Sequence, residues 1–354
     1  MNYFLKIMIR CFLIQLCFLQ QVLGASYKVN ISETVFSNVF SSKYNAENQF
    51  LSANETYDFI VDKNNSGDFT TVQDAINAVP DFRKKETKIF IKSGIYKEKL
   101  VLPASKTNVT FIGENKETTV LTYDDYAQKH NVFGEEVGTT GSTSFFVFAN
   151  DFKAKNITFE NSAGQVGQAV AIRIDGDRVS FYNCKFLGNQ DTLYLHGKDS
   201  RQYYKNCYIE GTVDFIFGWS TGFFENCEIY CKSPSGYITA ASTSEETEFG
   251  LVFNECVITG NAEEHTFFLG RPWRDYAKTI FINCTLGKQI KPEGWNNWNK
   301  LNAEQTTFYA EYYSKGPGAS NKRVPWSKQL SKKESEKYSL NNVLKGADNW
   351  VPKK

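Results

Sequence analysis

A short motif, an aromatic residue followed by a variable position, Asn and Cys, recurs along this 354-residue chain and limits what it can fold into. It is read in Phe159-Glu160-Asn161-Ser162, Phe181-Tyr182-Asn183-Cys184, Tyr204-Lys205-Asn206-Cys207, Phe224-Glu225-Asn226-Cys227, Phe253-Asn254-Glu255-Cys256 and Phe281-Ile282-Asn283-Cys284. The intervals are 22, 23, 20, 29 and 28 residues. A period in the twenties marks a solenoid whose repeats stack as successive coils. Short β-branched and aromatic alternations such as Lys278-Thr279-Ile280-Phe281 accompany the motif, so the expected solenoid is all-β. Equivalent positions then stack about 4.8 Å apart, and the cysteines should form a buried ladder of small apolar side chains. A disulfide stays open as the alternative, with Cys231, off the column, as one candidate partner.

The two ends read differently. Gly67-Asp68-Phe69-Thr70-Thr71 leads into Val72-Gln73-Asp74-Ala75-Ile76-Asn77-Ala78-Val79, a short amphipathic helix with Thr at its start, placed to cap the open first coil. After Gly287 the repeat fades, and the segment from Trp295 to Lys354 is expected to pack along the outside and cover the other end. At the N-terminus, Lys6 and Arg10 flank a short apolar run from Cys11 to Leu19, followed by Gly24 and Ala25. That is the pattern of a secretory signal peptide over residues 1–24, too short for a membrane span of about 20 apolar residues. Residues 25–56 read as a polar leader and 57–354 as a single β-helix domain. Loss of residues 1–24 removes Lys6 and Arg10 and no acidic residue from the 40 basic and 39 acidic ones, leaving a net charge of −1. Neither a nucleic-acid-binding field nor an acidic tail is present.

The repeat also predicts neighbours. Six residues after Ser162 is Gln168, and six after Cys184 is Gln190; seven after Cys184 is Asp191, and seven after Cys207 is Asp214. Two glutamines thus share one column and two aspartates the next, about 5–7 Å apart in a regular solenoid. Stacked carboxylates have their pKa values driven apart, so that one is ionised and one protonated, as a nucleophile and a general acid require. Gln190 and Asp191 are adjacent, however, and share a site only if the chain bends between them.

Five segments carry a resemblance to a known family. Gly94-Ile95-Tyr96-Lys97-Glu98, Gln168-Ala169-Val170-Ala171-Ile172-Arg173, Gln190-Asp191-Thr192-Leu193-Tyr194, Asp214-Phe215-Ile216-Phe217-Gly218 and Leu269-Gly270-Arg271-Pro272-Trp273 resemble, in order, signatures of the pectin methylesterases. The resemblance spans roughly residues 57–330 and implies a right-handed parallel β-helix. It implies that Asp214 is the nucleophile on the carboxymethyl carbon of a galacturonate, and that Asp191 is the acid for departing methanol, then the base for water. It further implies Gln168 and Gln190 as oxyanion donors and Arg271 as the residue that orients Asp214. Tyr194, Phe217 and Trp273 match positions lining the sugar groove, with Arg271 beside them and Val213 as a further wall. Trp219 after Gly218 and Asn189 before Gln190 depart from the family pattern next to the site.

Rival chemistries fit less well. No Gly-x-Ser-x-Gly elbow exists, and only His130, His196 and His265 could serve a serine esterase. A β-helical lyase would need a calcium-binding carboxylate cluster, and an inverting glycosidase carboxylates about 6.5–9.5 Å apart. A binding relative without activity would have no need of two Asp, two Gln and one Arg together. No metal signature is present, so a cofactor-free, secreted, monomeric enzyme acting on pectin is expected, with no nucleic-acid or membrane partner. Six sequons, at Asn30, Asn54, Asn64, Asn108, Asn156 and Asn283, are candidate glycosylation sites, a number an Asn-rich chain reaches by chance, and Asn156 and Asn283 fall in expected strands.

Overall fold

The computed structural model describes residues 56–352, so the expected signal peptide and nearly all of the leader lie outside the described residues. Each coil is three short strands, one in each of three parallel sheets of eleven, eight and seven strands. One such coil is Val179–Tyr182, Lys185–Leu187 and Leu193–Leu195; the next is Arg201–Lys205, Tyr208–Gly211 and Ile216–Gly218. Successive coils pair in register, with Phe181 beside Tyr204, Lys185 beside Tyr208 and Leu193 beside Ile216. The stack is a parallel β-helix.

The Asn of the motif makes the corner between the eleven- and eight-stranded sheets. Asn156, Asn183, Asn206, Asn226 and Asn283 all have φ of 52–57°, the left-handed region. Asn tolerates that region better than branched residues do, and one such residue turns the chain sharply. Glu255 takes the same corner at φ 55°. The corner amides form a ladder, with Nδ2 of Asn183 donating to Oδ1 of Asn156 at 2.8 Å and Nδ2 of Asn226 to Oδ1 of Asn206 at 2.7 Å. The next residue points inward. Cys184, Cys207, Cys227, Cys256 and Cys284 are all buried, and each Sγ donates to the carbonyl two residues earlier. These five thiols and that of Cys231 are free, so the ladder is realised without a disulfide.

The first coil of the repeat was misframed by the sequence pattern. Register places Lys155 beside Tyr182 and Thr158 beside Lys185, so Asn156 and Ile157, not Asn161 and Ser162, occupy the Asn and Cys columns. Asn161 is instead a buried anchor whose Nδ2 donates to the carbonyls of Asp125, Ser142 and Val170. The core behind the corner is an aromatic stack. Phe181, Tyr204, Phe224, Phe253 and Phe281 follow one another with ring centroids 5.1, 4.5, 4.5 and 4.5 Å apart.

Both ends are closed. The helix Val72–Ala78 is N-capped by Thr71, whose side chain accepts from the Asp74 amide, and buries Val72, Ala75 and Ile76. The two Glu98 carboxylate oxygens accept from the amides of Val72 and Gln73, which the helix itself leaves open. At the far end the solenoid runs further than the fading motif suggests. Phe308–Tyr312 adds another strand to the eleven-stranded sheet, and the buried Trp295 stacks on Tyr309 at 4.4 Å. The final helix, Leu340–Leu344, lays Val343 and Leu344 on the outer face of that sheet against Tyr203, Phe223, Val252 and Ile280.

Candidate active site

Asp191 and Asp214 each lie two residues before a strand of the seven-stranded sheet, and the register of Leu193 with Ile216 brings them one above the other. The Asp191 amide donates to the Val213 carbonyl at 3.1 Å. Both aspartates are left-handed, with φ of 64° and 53°. This conformation supplies the bend the sequence demanded: it lets Gln190 and Asp191, neighbours in the chain, serve one cleft. The close turn needs a glycine three residues before Asp214, since a Cβ on Gly211 would sit 2.2 Å from that of Phe215.

The two carboxyls have different surroundings. Asp214, 5% exposed, is held by Arg271 in a two-point fork, Nε to Oδ1 and Nη2 to Oδ2, both 2.8 Å. Burial raises its pKa above the ordinary carboxylate value, and the Arg271 hydrogen bonds and charge oppose that rise. Asp191, 7% exposed, has no side-chain hydrogen bond among the described residues. Burial pushes its pKa well above the ordinary value, and the neighbouring Asp214 charge adds to this. As pH rises, therefore, Asp214 ionises first and Asp191 holds its proton longer. The Arg271 guanidinium is itself clamped between the rings of Tyr237 and Trp298, 3.9 and 3.6 Å from their centroids.

The glutamine column is present, although the frame that predicted it was wrong. Gln168 and Gln190 bridge in parallel, with the Ala169 amide donating to the Gln190 carbonyl at 3.1 Å. From Ile157, the true column position, Gln168 is eleven residues away and not six; the turn after Asn161 absorbs the difference. Nε2 of Gln128 donates to Oε1 of Gln168 at 3.0 Å, which fixes the amide so that its own NH₂ is turned away from Gln128. Gly167 is required beneath this contact: its φ is 106°, and a Cβ there would meet Gln128 Oε1 at 2.8 Å.

These groups line one cleft of about 330 Å³, with Tyr194, Phe217 and Trp273 as expected, and with Thr139, Thr140, Ala240 and Trp298, which the sequence pattern did not single out. Tyr194 and Phe217 stack at 4.1 Å and are nearly buried, forming a floor; Trp273 stands over them, 6.1 and 5.8 Å away. Val213, expected as a wall, is half-buried and outside the cleft lining. His196 is also outside it, its Nδ1 2.5 Å from Oδ1 of Asp175. Gln128, Thr139 and Thr140 come from the 124–142 loop, whose ends Asn161 ties down; nothing periodic marks them.

Known proteins resemble this chain over most of its length. The family model Pectinesterase matches residues 58–347. The chain is 46% identical over 282 residues to pectinesterase 31 of Arabidopsis thaliana, covering 78% of this chain and 88% of that protein. It is 37% identical over 305 residues to a pectinesterase of Petunia integrifolia, covering 81% and 79%. Among solved structures, pectin methylesterase from carrot superposes with a TM-score of 0.77 at 31% identity, over 85% of this chain and 96% of that one. A pectin methylesterase in complex with a hexasaccharide superposes with a TM-score of 0.75 at 29% identity, over 85% and 99%.

Proposed function

The chain belongs to the pectinesterase family, a right-handed parallel β-helix that hydrolyses the methyl esters of pectin, and on that premise we propose which of its residues carry the reaction. Asp214 is the nucleophile. Arg271 keeps it ionised and aims it, and its carboxylate oxygen attacks the C6 carbonyl of an esterified galacturonate. The negative charge that develops on the carbonyl oxygen is met by the side-chain NH₂ groups of Gln168 and Gln190. Collapse of the intermediate breaks the C6–O bond to the methoxy group. Asp191 gives that group its proton, so methanol leaves and an anhydride joins C6 to Asp214. Asp191, now ionised, takes a proton from water, the hydroxide attacks C6, and Asp214 is released as the carboxylate. The second step returns the proton to Asp191.

The observation that carries this reading is the contrast within the buried pair, one carboxyl forked onto an arginine and the other with no side-chain hydrogen bond among the described residues. Aromatic residues Tyr194, Phe217, Trp273 and Trp298 are the surface for the sugar rings. The proposed location is outside the cell, with residues 1–24 removed on export; among the described residues no helix is long and apolar enough to cross a membrane. The test is methanol release from highly methylated pectin by wild type and Asp214→Ala, with new reducing ends and unsaturated uronates assayed in parallel. Wild type should release methanol at unchanged polymer length, and the variant should lose roughly 10⁴-fold or more in kcat. Substantial turnover in Asp214→Ala would remove the nucleophile assignment. N-terminal sequencing of the exported protein should begin near Ala25.

A further inference from the structure

The guanidinium of Arg271 offers its edge to Asp214 and has both faces covered. The Tyr237 ring lies 3.9 Å from it and the Trp298 ring 3.6 Å. Behind Tyr237 the covering continues. The strand Gly236–Ala241 pairs in parallel with Phe267–Gly270, which sets Tyr237 beside Phe268, and the two rings stack at 5.3 Å and 9°. Lys291 Nζ closes that end, 4.8 Å from the Phe268 centroid, and Lys300 Nζ the other, 5.3 Å from that of Trp298. Lys291, Phe268, Tyr237, Arg271, Trp298 and Lys300 thus form one column, and Asp214 is forked onto the arginine in its middle.

The two walls of Arg271 differ in kind. Trp298 stands on a loop, at φ 56°, and lines the catalytic cleft. Tyr237 stands on a strand paired on both sides and is outside the cleft lining. Its amide donates to the Thr212 carbonyl at 3.2 Å, and the Arg271 amide donates to the Thr239 carbonyl at 3.0 Å. Gly270 allows that close approach, since a Cβ there would sit 2.1 Å from Thr239 Oγ1. Ring and guanidinium are therefore held by one piece of sheet.

A guanidinium covered on both faces keeps rotation in its own plane and loses tilt. The two-point fork on Asp214 needs that plane, because a tilted guanidinium meets one carboxylate oxygen and misses the other. We propose that Tyr237 is a positioning residue of the reaction, the fixed wall that, backed by Phe268 and Lys291, keeps the Arg271 guanidinium in the orientation that forks Asp214. The proposal rests on Asp214 being the nucleophile. When the fork loosens, Asp214 loses the hydrogen bonds and charge that oppose the effect of burial, and it takes up a proton at higher pH. Asp191 and the buried Tyr309 also face Asp214, and Lys300 faces Arg271.

The experiment is methanol release across pH by wild type, Tyr237→Leu, Tyr237→Phe and Asp214→Ala. In the first three, ionisation of Asp214 is followed by carboxyl ¹³C NMR, its signal assigned by its loss in Asp214→Ala. Tyr237→Leu should lower kcat about 10-fold with KM within about twofold, the loss of one cation–ring contact. The acid limb of its kcat profile and the Asp214 titration should both move up by about one pH unit. Tyr237→Phe should restore kcat and limb, because the ring and not the hydroxyl forms the wall. Tyr237→Gln, a second variant without a ring, should behave as Tyr237→Leu and stands in if that chain does not fold. A raised KM with kcat and limb unchanged would make Tyr237 a sugar contact and overturn the proposal. So would a lowered kcat with the Asp214 titration unmoved, or a Tyr237→Phe no better than Tyr237→Leu. Methanol release surviving in Asp214→Ala would instead strike at the nucleophile, and the Asp214 titration in Tyr237→Leu would still judge the wall.

Discussion

The side-chain amide of Gln128 uses one donor on the Oε1 of Gln168, and that contact decides which end of the Gln168 amide faces the cleft. Without it the Gln168 amide can rotate, and the cleft would as often meet an acceptor, which repels an oxyanion. Gln128→Ala should therefore lower kcat roughly 10-fold, less than the about 10²–10³-fold lost when an oxyanion donor is removed outright, while KM stays within about twofold. Gln128→Glu, which fills the same space but only accepts, should lose as much. Steady-state kinetics on one pectin checks both, and a KM-dominated loss would refute the orienting role. Arg271 illustrates the same logic, since Tyr237 and Trp298 confine its plane before it ever meets Asp214. Gln128 and Trp298 were invisible in the sequence because they stand on loops outside the period, and Tyr237, on the strand Gly236–Ala241, because no motif marks it. By contrast Asp191, Asp214 and Gln190 were legible as candidates through column position, and Gln168 and Arg271 through their motifs, the column count for Gln168 having started from the wrong residue.

At the scale of the element, the period is readable because every coil must put similar chemistry at its inward positions. The ring stack through Tyr204, Phe224 and Phe253, at 4.5 Å per step, is that demand made visible. Phe224 is wholly buried in it. Phe224→Ala should cost about 3–5 kcal/mol, read as a lowered midpoint in urea unfolding; a loss below about 1 kcal/mol would mean that the neighbouring coils close the gap. The same periodicity misled at Asn161, whose neighbours imitate the corner motif while its amide is spent on three loop carbonyls. Composition cannot separate a corner Asn from an anchoring Asn; only the left-handed φ of Asn156 does so. Likewise the strand Phe308–Tyr312 lacks the Asn-Cys pair, with Tyr313 taking the left-handed corner at φ 51°, so this rung did not announce itself.

For the whole molecule, the buried carboxyl pair is a liability to stability that the function retains. Asp191 has a folded-state pKa above its unfolded value, so the folded chain binds more protons than the unfolded one between those two values. Its contribution is fully present below the ordinary carboxylate pKa and is lost as pH climbs through the raised one. Asp191→Asn keeps the shape of the protonated group and has no charge to bury. The variant should be inactive yet melt at least about 2 °C above wild type at pH 8, a gap closing toward pH 4, by calorimetry. A gap independent of pH would show that Asp191 is not held protonated by the fold. The in-register stacking of Asp191 on Asp214 has one more consequence. The separation between the proposed nucleophile and acid is set by the backbone hydrogen-bond rung between two coils, a ruler with a single graduation that no loop insertion can stretch. Loop positions away from Gln128 and Gly167 are free to diverge and retune what is bound, while the stroke of the reaction stays the same length.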